Sequence, residues 1–336
     1  MTKIDLKTKL LNILKSILLP VVVFVVFYLA SGGRFGLHTI PVLFRQAVIS
    51  ALLSWALYVS MQLGGWNFSI GAIVTLTSIM AGLVTLQYDL GLVGLAVLCI
   101  VFATILSGFV GVLCVLLKIP SILVTIGCLM VFESVSAQFN GAMGVTVRGS
   151  ITIMARSPYC YIVAVICVAF LYILLYKTKF GHDLRAVGHS YLIAQNIGIN
   201  INRTKIMAFA LTGLLLGPAT LVYLSNNSRM APQLDMATMS MNFSAMIGIF
   251  LGNYISKYCN VPVAIFIGNL TMKMLASGLV SVGLPSTIQD IITGAFLIIF
   301  IGITSNQKKF DQHAADRRRA KEILARQAAA EPVGKS

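Results

Sequence analysis

"LVGLAVLCIVFATILSGFVGVLCVLL", residues 92–117, runs for 26 residues without a charged side chain. At 1.5 Å per residue, a helix of this length crosses a hydrocarbon core of roughly 30 Å with residues to spare. Similar runs of Leu, Ile, Val, Met and Gly recur along the 336 residues, none with the short alternating pattern of a membrane barrel strand, so they read as helices. Runs and breaks together predict about ten transmembrane helices, near 14–31, 46–63, 69–87, 92–117, 121–139, 158–176, 206–224, 239–256, 261–281 and 286–304. With 58% hydrophobic and 10% charged residues and a mean hydropathy of +0.91, the chain is an all-α integral membrane protein.

The first apolar run, Ile17 to Ala30, follows four lysines and ends in "YLASGG", so it reads either as a span or as a cleaved leader. Its length, and the direct continuation through Arg34 and Pro41 into the next run, favour the span. Basic residues then orient the chain. With the N-terminus inside, nineteen of the 25 Lys and Arg residues fall on the cytoplasmic side and five outside, so both termini are expected to be cytoplasmic. The net charge of +15 needs no nucleic acid: juxtamembrane Lys and Arg meet anionic lipid headgroups. Residues 1–304 read as one transmembrane domain. Residues 305–336, with "DRRRAKEILARQAAAEPVGKS", read as a basic cytoplasmic tail.

"TKFGHDLRAVGHSYLIAQNIGIN", Thr178 to Asn200, is the longest internal polar loop and too polar to cross. Leu184, Val187, Tyr191 and Ala194 recur in it at helical spacing, with Asp183, Arg185, His189 and Gln195 on other faces. An amphipathic helix of this kind presents a surface to a cytoplasmic partner, or only anchors the loop at the interface.

The chain has no G-x-x-x-x-G-K-[ST] segment to wrap phosphates and no cytoplasmic domain to hold one, so it is not expected to be an ATPase or other enzyme. Energy must come from a separate ATPase or from an ion gradient, and a gradient-driven carrier keeps ionisable groups inside its spans. The candidates are Glu133, Lys273 and Asp290. Glu133 and Lys273 both stand about 18 Å above the inner ends of their spans. They could pair and neutralise each other, or one could bond solute hydroxyls or carry a proton. Asp290 suits a helix cap after Pro285 and Ser286. In "GGWNFSIG", Gly64 to Gly71, Asn67 and Ser69 could donate to a hydroxylated solute at an unwound helix, or cap the third span. Trp66 suits an interface anchor.

"GLLLG", Gly213 to Gly217, and "GIFLG", Gly248 to Gly252, predict close helix packing in the bundle or a dimer seam, and Pro218 a kink. The six cysteines show no close pairing and read as small buried apolar residues. The scattered histidines suggest no metal site, and the 14 methionines read as packing.

"TKFGHDLRAVGHSYLIAQNIGININRTKIMAFALTGLLLG", Thr178 to Gly217, resembles a signature of the membrane permeases of bacterial ABC importers for ribose, other monosaccharides and autoinducer-2, within the branched-chain amino-acid-type permease superfamily. Thr178, Gly181, Ala186, Val187, Gly188, Ala194, Gly198, Ile199 and Lys205 stand in the family's places, with His182 in place of its Arg. "GGWNFSIGAIVTLTSIMAG", with Asn67 in the place of an Asp, and "KIPSILVTIGCLM" match two further family elements. The likeness runs from about Ala47 to Thr304. It implies that the 178–200 loop docks into a cleft of a separate ABC ATP-binding subunit, which holds the ATP and Mg2+. Asp183, Arg185, His189 and Gln195 would then face that partner, with Gly181 and Gly188 permitting bends. Asn67, Ser69 and Glu133 are the candidates for the solute pathway.

The resemblance further implies a second permease subunit, identical or different, a periplasmic or surface solute-binding protein outside, and a place in the bacterial cytoplasmic membrane. The outer segment Asn226 to Ser240 is the candidate to receive the binding protein, with Arg229 and Asp235 as salt-bridge partners. One element departs from the family: in "LGNYISKYCNVPVAIFIG", Asn253, Tyr258 and Cys259 replace small residues, which suggests pairing with a different permease. The function expected is import of a sugar or similar small polar solute by alternating access. An ion-coupled carrier and a non-transporting scaffold are the alternatives.

Overall fold

A computed structural model describes residues 3–302 apart from 33, 286, 290, 297, 300 and 301. It is helical nearly throughout: α1 (Lys3–Ala30), α2 (Ile40–Met61), α3 (Ile70–Gln87), α4 (Gly91–Leu116), α5 (Ser121–Gln138), α6 (Tyr159–Lys177), α7 (Lys179–His189), α8 (Tyr191–Asn196), α9 (Ile201–Asn227), α10 (Met239–Ile255) and α11 (Val261–Ser281). Two short strands not foreseen from the sequence, β1 (Val145–Thr146) and β2 (Arg229–Met230), pair antiparallel. The chain divides into two compact units, residues 1–283 and residues 284 onward. In the second, the described positions between 287 and 302 are helical, while Asp290 and the 305–336 tail lie outside the described residues.

Seven of the described helices are long and apolar enough to cross a membrane: α2 to α6, α9 and α11. Of the other expected spans, the first is the apolar part of α1, Ser16–Ala30, and the eighth is α10, a helix of 17 residues.

The run at 92–117 shows how these helices are built. Along α4, Val93, Val97, Val101, Ile105 and Phe109 are exposed at every fourth position, the stripe a lipid-facing helix needs. On the opposite face Leu95, Cys99, Ala103 and Ser107 are buried at the same spacing. These mostly small residues let α9 approach closely. A Cβ on Gly213 would collide with the backbone of Ala103 and Thr104, and one on Gly217 with Ile100. The Ser107 hydroxyl donates to the Phe209 carbonyl at 2.6 Å across the same contact. Gly248 and Gly252 do the same for α10 against Asn269 and Ile265 of α11. Both small-residue motifs therefore serve helix packing, as their spacing predicts. α9 runs as one helix through Pro218. Five of the six cysteines are buried in the bundle and Cys259 is half-buried.

Within the first unit, α2 lies among α6, α9, α10 and α11, and α3 between α4 and α5. α1 packs on α11, where Phe24 and Phe27 meet Phe35, Leu270 and Met274. Trp55 is buried in α2 with its indole N–H donating to the Pro262 carbonyl at 2.9 Å. Of the divergent residues, Asn253 lies in the last turn of α10 and Tyr258 and Cys259 in the turn before α11, and none of them adopts a positive φ. Their side chains therefore need no backbone conformation reserved for glycine.

Candidate functional site

The polar loop at 178–200 folds as two short helices rather than one. The Thr178 hydroxyl donates to the Leu174 carbonyl at 2.6 Å and accepts the Gly181 N–H at 3.2 Å, so one side chain ends α6 and starts α7. Ser190 is extended, breaks the helix, and accepts the Ile193 N–H to start α8. Asn200 caps α9 by accepting the Arg203 N–H at 3.1 Å. Leu184, Val187 and Ala194 are buried, as their spacing predicts, but Tyr191 is exposed because the break at Ser190 turns α8 away.

The expected partner-facing residues divide. His189 and Gln195 are exposed and Asp183 is half-buried. Arg185 turns inward. Its Nε donates to the Gly181 carbonyl at 3.2 Å, its Nη2 to the Leu175 carbonyl at 3.0 Å, and its guanidinium lies 5.7 Å from the Tyr176 ring centre. It ties α7 to the carbonyl end of α6, where a cation is favoured. Gly181 and Gly188 make no bends: both are helical, and each lacks a Cβ because another chain segment passes there. Gly181 abuts the Leu174 and Leu175 carbonyls, and Gly188 the Gln62 carbonyl at the end of α2.

The hairpin also exposes apolar side chains. Leu192 is 72% exposed, Ile193 60% and Ile197 70%, in a segment too polar to lie in the membrane. An apolar cluster of this kind on a polar surface suits a contact with a protein or with the membrane interface. Val187, Ala194 and Ile201 meanwhile form a small buried cluster with Leu63 that glues the hairpin to the end of α2 and the start of α9.

Between the turn at Gly64 and the start of α3 the chain enters the bundle without helix or strand. Asn67 is fully buried; its Oδ1 accepts the Ser69 N–H at 3.1 Å and the Ser69 hydroxyl at 2.7 Å, and its Nδ2 donates to the Ser60 hydroxyl at 3.4 Å. Asn67 thus holds the helix start through its neighbour, and Ser69 gives no side-chain cap to α3. That role falls to Asn242 of α10, whose Oδ1 accepts the Gly71 N–H at 3.0 Å and whose Nδ2 donates to the Phe68 carbonyl.

Asn242 belongs to the first turn of α10, so the starts of α3 and α10 meet. Gly71 sits against the Thr238 carbonyl, where any side chain would overlap it. Glu133 completes the junction. Only 2% exposed, its carboxylate accepts the Met236 N–H at 2.9 Å, the Thr238 N–H at 2.9 Å and the Thr238 hydroxyl at 2.6 Å. The helix starts concentrate positive partial charge, and the carboxylate answers it. Eight residues earlier on α5, the Thr125 hydroxyl donates to the Trp66 carbonyl at 3.4 Å, so one helix braces both segments. Trp66 itself is 40% exposed and lies against Phe68 and Phe250.

The expected Glu133–Lys273 pair does not form: the carboxylate is taken up by the 236–238 backbone and Thr238. Among the described residues Lys273 has no ion-pair partner. Sequence reasoning also missed Asn242 and Thr238. An Asn inside an otherwise apolar span was the available signal for the first.

β1 and β2 tie the loop after α5 to the loop after α9, and the Ser225 hydroxyl donates to the Ile151 carbonyl at 3.0 Å. Arg229 and Asp235 are both exposed there.

The sequence pattern of a family described as "Branched-chain amino acid transport system / permease component" matches residues 40–301. The chain is 26% identical over 308 residues to the autoinducer 2 import system permease protein LsrC of Klebsiella pneumoniae, covering 89% of this chain and 87% of that one. It is 27% identical over 281 residues to the ribose import permease protein RbsC of Bacillus subtilis, covering 80% and 84%. To the probable ABC transporter permease protein YphD of Escherichia coli it is 22% identical over 287 residues, covering 83% and 85%.

Proposed function

The chain belongs to the family of branched-chain amino acid transport system permease components, and from that premise we propose that it is the membrane permease subunit of an ATP-driven importer for a sugar or similar small polar solute. Ten spans with both termini cytoplasmic place the α7–α8 hairpin inside and the β1–β2 ladder outside. The bacterial cytoplasmic membrane is its site. A separate ABC subunit binds ATP and Mg2+, a solute-binding protein delivers solute near Arg229 and Asp235, and a second permease subunit completes the pathway. Residues 305–336 form a basic tail beyond the transmembrane domain of residues 1–304.

The observation that carries this reading is the hairpin, with an exposed apolar tip on one side and a backbone contact to the α2–α3 segment on the other. When the ATP sites close, the hairpin moves with the ATPase. Gly188 presses on Gln62, and the 64–69 segment is displaced. Through Asn67 and Gly71 this shifts the α3–α10 junction, where two packings of the helix starts would alternate access. Glu133 serves as a structural acceptor in this scheme rather than as a proton carrier, which favours ATP over an ion gradient as the energy source.

The test is co-purification from native membranes in mild detergent. An ATP-binding protein should be retained, and Leu192→Asp together with Ile193→Asp should weaken retention by about thirtyfold or more, since a buried apolar anchor contributes roughly 2 kcal/mol or more. Asp183→Ala should have a smaller effect. Retention unchanged by the double variant removes the docking assignment. No nucleotidase retained even after crosslinking removes the importer reading.

A further inference from the structure

Lys273 is a cation in the middle of α11 without a carboxylate partner among the described residues. An ionisable group at such depth marks a solute or ion pathway by default, because leaving it there without a purpose is costly. Its surroundings are specific. Lys273 lines a cavity of about 230 Å³ together with Ser50 of α2, Tyr223 of α9, Gln233 of the preceding loop, and Ser240 and Ser244 of α10. The side chains of Ser50, Tyr223, Gln233, Ser244 and Lys273 make no hydrogen bond to any described residue, so this set is available to a ligand.

The volume is below the roughly 300–1,000 Å³ of pockets for drug-sized ligands, and it suits a smaller solute. The lining carries one formal charge, and it is positive. Asp235, two residues from Gln233, is exposed and lies outside the lining. Ser240 and Ser244 also stand in the first turns of α10, whose helix start adds partial charge of the same sign. Four helices contribute, and α10 among them is held by the junction described above, so repacking at Gly71 and Thr238 would reshape the cavity.

We propose that this cavity binds the transported solute and that the solute carries an anionic oxygen group, a carboxylate or a phosphate, bonded by Lys273, with its hydroxyls bonded by the serines, Tyr223 and Gln233. This rests on the permease reading and narrows its substrate class from small polar solutes to anionic ones.

The test uses the purified full-length protein with Ser244→Cys, the parent chain reporting background from native cysteines. Anionic and cationic methanethiosulfonates are compared for rate at the introduced thiol. Changing Lys273 to Met should lower the anionic-to-cationic rate ratio on the order of tenfold, while Lys273→Arg should keep it. Should Lys273→Met not fold, Lys273→Gln makes the same comparison. Protection of the thiol from a neutral reagent is then measured with D-ribonate, D-ribose 5-phosphate and D-ribose. Protection by either acid, lost on removing the Lys273 charge, supports the proposal and tells carboxylate from phosphate.

An unchanged ratio, equal protection by D-ribose, or protection by none of the three overturns it. Labelling needs no ATPase, so failure here leaves the docking test standing, and failure of the docking test leaves the labelling ratio unaffected.

Discussion

Glu133→Leu should unfold the protein at a markedly lower temperature and abolish its transport. The carboxylate takes three hydrogen bonds while nearly fully buried, two of them from backbone N–H groups that precede or begin α10. Hydrogen bonds to a charged acceptor contribute roughly 1.5–3 kcal/mol each, and a buried donor left without one costs about 1–3 kcal/mol. An expected loss of about 3–5 kcal/mol is large beside the 5–15 kcal/mol by which proteins of ordinary stability stay folded.

Glu133→Gln separates two roles. Its amide oxygen can still accept from Thr238, but its NH2 would face the Met236 N–H, donor against donor. A structural acceptor therefore predicts an intermediate fall in stability for Gln, read by thermal unfolding in detergent. A proton carrier predicts unchanged stability with lost uptake. Unfolding of the Leu variant within a degree or two of the parent would remove Glu133 from the junction.

Gly71→Val should be strongly destabilising. The obstacle is the Thr238 carbonyl, part of the backbone, which cannot rotate aside as a side chain does. Any side chain at Gly71 must push the starts of α3 and α10 apart. That also stretches the Asn242 bond to the Gly71 N–H and the Glu133 bonds to Thr238. Overpacking of a tight contact costs about 1–3 kcal/mol, and the coupled bonds add to it.

Gly108→Ala is the control, because a Cβ there meets only the Ala210 methyl at 4.0 Å. Gly71→Ala and Asn242→Ala should be clearly non-additive in a double-mutant cycle on unfolding temperature, since each loosens the contact the other supports. Additive effects would mean the junction is not one unit.

Apolar runs and small-residue spacing made the helices legible in the sequence, because lipid exposure and close packing each demand a residue type along a whole face. α4 with Gly213 and Gly217 is the clearest instance. The place of the α7–α8 hairpin between two long helices was legible for a similar reason: Thr178 to Asn200 is too polar to cross. Pairwise contacts were not legible. Rise per residue put Glu133 and Lys273 at one height but says nothing of the direction around each helix axis, and Glu133 turned to a helix start instead. Arg185 reads as a surface charge until the Leu175 carbonyl is known to lie beneath it. Ser190 breaks the amphipathic pattern by one residue's extended backbone, which exposes Leu192 and Ile193 where periodicity predicted a single helix.

The lipid-facing stripe of α4 reaches from Val93 to Leu116, about 35 Å of helix at 1.5 Å per residue. That is longer than the roughly 30 Å of an average bilayer interior, so α4 sits comfortably only when tilted or in a thicker membrane. Its inner face is locked to α9 at Gly213 and Gly217, so the two helices lean together. α9 begins at Ile201, in the cluster that holds the α7–α8 hairpin. Under the importer proposal, membrane thickness would bias the tilt of the α4–α9 pair on which the 178–200 hairpin is mounted, and the acyl-chain length of the surrounding lipid would then act on coupling.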